Sequence, residues 1–124
     1  MTVVSASTST TFELPGVTFS TLVTESRGGA QNAVWRVTIA PRTPGQVHQL
    51  TRQEIIHLLS GQARAAIGAT AQEVRAGDTI VVPPFTDFAL ETRGDAPVVA
   101  IAILPQGGQA IIGDAAPFTP PWAA

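Results

Sequence analysis

The sequence predicts an all-β domain, an antiparallel sandwich or barrel. Three observations predict it. Gly and Pro interrupt the chain at short intervals: Pro15-Gly16, Gly28-Gly29, Pro41, Pro44-Gly45, Gly61, Gly68, Gly77, Pro83-Pro84, Gly94 and Pro105. The segments between them are rich in Val, Ile, Thr and Phe, the residues that suit a pleated, half-buried surface. No segment combines helical periodicity with good caps over a useful length.

The first ten residues form a Ser/Thr-rich arm, expected to be mobile or to pair with another strand. Strands are expected at "VTFSTLV", "NAVWRVTIA", "EIIHLLS", "DTIVVP" and "PVVAIAIL". "RQEIIHLL" is ambiguous in composition, but β-branched Ile55 and Ile56 and the Gly61 stop favour a strand. "PQGGQA" lacks the spacing of a dinucleotide fingerprint and reads as a turn. The tail "PFTPPWAA" is too proline-rich for regular structure. Trp122 in it either anchors the tail on the barrel or belongs to a disordered end. The expected organisation is an arm at 1–10, one domain at 11–115 and a packing tail at 116–124.

Composition limits the function classes. The chain has 124 residues, 44% of them hydrophobic, enough for one domain with a real core. It has no cysteine, which excludes disulfides and thiol chemistry. All basic residues are arginine, so Schiff-base catalysis by lysine is excluded. Net charge is −2 and the arginines are scattered, which argues against nucleic acid as a partner. No apolar run approaches the length of a membrane span, and the N-terminus lacks a signal-peptide pattern. A cytoplasmic location is expected. The lysine-free, alanine-rich composition suggests a GC-rich bacterial genome.

Chemistry concentrates in "GQVHQLTRQEIIHLLSG", residues 45–61, which holds both histidines. Alternate strand residues share a face. Gln46, His48 and Leu50 therefore fall together, as do Glu54, Ile56 and Leu58. If "TRQ" is a tight turn, the two strands pair as a hairpin and bring His48 near Glu54. His57 falls on the opposite face with Ile55 and Leu59. That face is also apolar, so a second sheet or a second subunit is expected to cover it.

At these residues the chain resembles the cupin superfamily. The first cupin motif runs glycine, spacer, His-x-His, three or four residues, Glu, six residues, Gly. His48, Glu54 and Gly61 match it in identity and spacing. The second motif is similar to "GDTIVVPPFTDFALET": Gly77 and Pro83 match, while Phe85, Phe88 and Thr92 replace Gly, His and Asn. The resemblance covers about residues 34–105. It implies an antiparallel jelly-roll β-barrel, a pocket lined by motif residues, and a homodimer.

Family members generally hold a transition metal with three histidines and a glutamate. Here Leu50 and Phe88 occupy two of the histidine positions, leaving His48 and Glu54 as the only candidate metal ligands. A stable site usually needs three or more protein donors, so no cofactor is expected and a divalent transition metal is the alternative. A carboxylate near an imidazole can transfer protons near neutral pH, making His48 and Glu54 candidate catalytic residues. A buried pair that merely satisfies two polar groups reads equally well. Gln46, Leu50, Arg64, Phe85 and Phe88 are candidate ligand-binding residues, and Asp87 is expected to face solvent. Three functions stay open: a metal-independent isomerase or lyase acting on a small, partly apolar molecule, a metal-dependent oxygenase or isomerase with a reduced ligand set, and a non-catalytic binding or sensing module.

Overall fold

A computed structural model describes residues 2–124. The strands are β1 (Thr10–Leu14), β2 (Val17–Val23), β3 (Asn32–Ile39), β4 (Gln49–Leu50), β5 (Glu54–Ser60), β6 (Gln62–Ile67), β7 (Thr70–Arg75), β8 (Thr79–Val82), β9 (Phe88–Glu91), β10 (Val98–Pro105) and β11 (Ala110–Ile111). The larger sheet has the order β1-β2-β3-β10-β5-β8. Opposite it lie the three-stranded sheet β7-β6-β9 and the pair β11-β4. A bridge from His48 to Phe88 joins these last two units. Every strand pairing is antiparallel. The result is the all-β architecture that the residue pattern predicts, in the antiparallel jelly-roll form that the resemblance implies. No helix among the described residues is long and apolar enough to cross a membrane.

Alternation sets the core. β3 buries Ala33, Trp35, Val37 and Ile39, and β10 buries Val98, Ala100, Ala102 and Leu104. The register places Ala102 opposite Trp35 on one side and Ile56 on the other, so a small residue makes room for two large neighbours. β5 contributes Glu54, Ile56 and Leu58 to the same inner face. Full burial of an aliphatic side chain contributes about 1.5–3 kcal/mol. Gly61 ends β5 at φ 86, and a Cβ there would meet the Pro97 carbonyl oxygen at 2.3 Å. Only glycine fits this tight approach.

One expectation is overturned. β4 and β5 do not form a hairpin. β4 pairs with β11, whereas β5 pairs with β10 and β8. Residues 51–53 therefore cross from one layer to the other. Leu50 of β4 and Ile56 and Leu58 of β5 still belong to one buried cluster, but they reach it from different sheets rather than along a shared ladder.

The chain ends are tied down by specific contacts. Trp122 stacks on Phe19 with ring centroids 3.7 Å apart and 5° between planes. The Thr21 hydroxyl donates to the Trp122 carbonyl at 2.8 Å, and Gln106 Nε2 donates to the Ala123 carbonyl at 3.0 Å. The tail, expected to be irregular, contains a 3-10 turn at Pro121–Ala123. At the other end, Arg27 Nη2 donates to the Ser5 carbonyl at 2.9 Å.

Candidate functional site

His48 sits at the start of the short β4 and bridges to Phe88 of β9. Its backbone N–H donates to the Phe88 carbonyl at 3.0 Å, and the Phe88 N–H returns a bond at 2.9 Å. The two rings meet edge to face, with centroids 5.6 Å apart and 69° between planes. His48 Nδ1 lies 2.8 Å from the Gln46 carbonyl oxygen. A carbonyl can only accept, so Nδ1 carries the proton and Nε2 of the neutral ring keeps its lone pair.

Glu54 opens β5 opposite Val82 of β8. It is 5% exposed. Burial pushes its carboxyl up to about 8 from an ordinary 4.5, and desolvation is the sole cause. Among the described residues the ion pairs are Arg42–Asp95, Arg64–Glu73 and Arg93–Glu91, and none includes Glu54. No fully enclosed side-chain oxygen or nitrogen among them lacks a hydrogen bond. Glu54 is therefore an almost fully buried acid that desolvation holds neutral near pH 7.

The remaining expected residues separate. Leu50 and Phe88 lie inside at 4% and 3% exposure. Gln46 is exposed and offers His48 its backbone carbonyl. Phe85 is 62% exposed. Arg64, also expected among the ligand-binding residues, lies apart from the buried Leu50 and Phe88. It stands opposite Glu73 and Glu91 on the outer face of β6, and pairs with Glu73 at 3.5 Å. The alternation in "QARAAI" carries that signal: Ala63 and Ala65 are the buried partners in that strand. Asp87 is exposed, as expected, and accepts from Gln49 Nε2 at 2.9 Å. His57 takes the outer face and meets the Thr79 hydroxyl at 2.8 Å.

Trp35, passed over in the sequence, and Thr92, noted there only as a departure from the motif, matter here. Trp35 is buried on the inner wall between Thr21 and Ala102. Thr92 replaces the motif asparagine and is a structural clip. Its hydroxyl donates to the Ala40 carbonyl at 2.6 Å and accepts from the Thr43 N–H at 2.8 Å. Two surface clefts, of about 460 Å³ beside Arg64, Arg93 and Asp95 and about 430 Å³ between β7 and β8, do not include His48 or Glu54.

The donor set does not fit a transition metal. Among the described residues no three His, Asp or Glu side chains gather. Leu50 and Phe88, both buried, are apolar and supply no further donor.

A family model described as "Cupin domain" matches residues 35–104. No curated protein matches the chain. Solved structures do. A cupin-2 domain protein from Rhodospirillum rubrum aligns with TM-score 0.69 and 14% identity, over 85% of this chain and 66% of that one. The polyketide cyclase RemF from Streptomyces resistomycificus aligns with TM-score 0.73 and 15% identity, over 85% and 79%. A variant of Bacillus subtilis oxalate decarboxylase aligns with TM-score 0.70 and 23% identity, over 77% and 27%. The chain thus spans less than two thirds of the length of the first of these, and about a quarter of the decarboxylase.

Proposed function

The chain belongs to the cupin domain family, and from that premise we propose that its barrel binds a small, partly apolar carbonyl compound and moves protons on it without a metal. The observation that carries this reading is the partnerless Glu54 carboxyl, held neutral in an apolar interior. A neutral acid there donates a hydrogen bond, and then a proton, to a substrate oxygen. His48 Nε2, with its lone pair left free by the Nδ1 bond to Gln46, serves as the base. Leu50 and Phe88 hold the apolar part of the molecule.

The chemistry balances within the substrate. His48 takes a proton from the carbon next to the carbonyl. The C–H electron pair forms the C=C bond of an enol as Glu54 protonates the oxygen. In a β,γ-unsaturated substrate the enol is a dienol, and return of the His48 proton to its γ carbon, as the enol O–H gives its proton back to Glu54, yields the conjugated isomer. Attack of the enol carbon on a second carbonyl of the same molecule, whose oxygen takes the His48 proton while the enol O–H returns its proton to Glu54, closes a ring that then loses water. The similarity to a polyketide cyclase of comparable length supports the ring-closing version.

Proton exchange tests this directly. In D₂O with a chelator present, the protein should accelerate deuterium uptake next to the carbonyl of 1-tetralone. His48→Ala and Glu54→Gln should each slow it by about 10²-fold or more. Absence of acceleration, or acceleration that vanishes with the chelator, would refute the proposal.

A second copy of the chain is the partner proposed for the outer face of the larger sheet. The register aligns Val34, Ile103, Ile55 and Val81 in one row across four strands. Val81 is 52% exposed, and Val34, Ile103 and Ile55 beside it in the row are half-buried. Contiguous apolar surface of this kind favours self-association.

A further inference from the structure

We propose that Phe85 is an aromatic platform that stacks on the ring of a planar aromatic substrate at the mouth of the barrel, an inference that rests on the reading of the interior as a ligand site. Phe85 has φ 54, a left-handed conformation that is unfavourable for a bulky side chain. Its side chain is 62% exposed, so core packing does not repay that strain. A turn alone would be served better by glycine.

The loop around it is held by prolines and hydrogen bonds. Pro83 and Pro84 fix the approach. The Phe85 N–H donates to the Leu50 carbonyl at 2.8 Å, and the Thr86 hydroxyl donates to the Pro84 carbonyl at 3.1 Å. A strained backbone is thus held firmly while presenting an aromatic ring to solvent.

Its position gives the ring a use. Residues 83–87 run from Val82, the strand partner of Glu54, to Phe88, the bridge partner of His48. Phe85 is at the midpoint of the segment that links the partners of the proposed acid and base. An aromatic face there can meet a substrate whose reacting end lies between Glu54 and His48, and stacking prefers a planar ring over a saturated one.

Calorimetric binding of 2-naphthol and of decahydro-2-naphthol, which share a hydroxyl but differ in aromaticity, tests the assignment. Wild-type protein should prefer 2-naphthol. Phe85→Gly should weaken 2-naphthol binding roughly three- to tenfold, remove the preference, and leave the urea midpoint unchanged or higher. Phe85→Trp should keep the preference. Unchanged 2-naphthol binding in Phe85→Gly, or a lower urea midpoint, overturns the role of Phe85 while leaving the interior site standing. Failure of wild-type protein to bind 2-naphthol, or binding untouched by Phe88→Ala, overturns both.

Discussion

Replacing Glu54 with glutamine should change how stability depends on pH more than it changes stability at any one pH. In the unfolded chain the carboxyl titrates near its ordinary 4.5, and in the folded chain near about 8. Between these values the folded state binds the extra proton, so unfolding free energy falls as pH rises. The stabilisation from holding that proton is complete below about pH 4.5 and lost through about pH 8. At about 1.4 kcal/mol per pKa unit, the whole span is worth at most about 5 kcal/mol. Between about pH 5 and about pH 7 the expected loss is about 2–3 kcal/mol. Glutamine cannot ionise and removes this dependence. Its amide carries a cost of its own, but that cost is the same at every pH. The assay is urea unfolding of both proteins across this range, and the quantity of interest is the difference between the two curves. A difference that grows with pH in favour of Glu54→Gln supports the buried neutral acid. Parallel curves would refute it, because they would mean that Glu54 titrates alike in both states.

Two further outcomes are expected. Trp122→Ala should lower Tm by roughly 5–10 °C in a thermal melt, from the loss of about 2 kcal/mol of half-buried stacking on Phe19. An unchanged Tm would show that the tail contributes nothing to the fold. Ile103→Asp, in the centre of the outer apolar row, should convert a wild-type dimer to a monomer in sedimentation equilibrium at similar fold stability. A wild-type monomer at tens of micromolar would rule out that interface.

The legible parts of this chain were the local ones. The residues of β2 and β5 are those of "VTFSTLV" and "EIIHLLS", because β-branched runs between turn residues leave the backbone few choices. A two-residue period sends Glu54 inward and His57 outward whatever strand lies beside them. The short strands β4 and β11 carry only two residues each, too few to show a period.

The sequence by itself determined an all-β chain, its inner and outer faces, and a reduced set of polar residues at 48 and 54. Tertiary structure alone decided that these two come from different sheets rather than one hairpin, that Glu54 has no ionic partner among the described residues, and that Phe85 is held in a left-handed turn. The physical reason is that alternation is a property of consecutive residues. Strand partners, desolvation and the conformation of a pinned loop depend on residues far away in the chain, which only folding brings together.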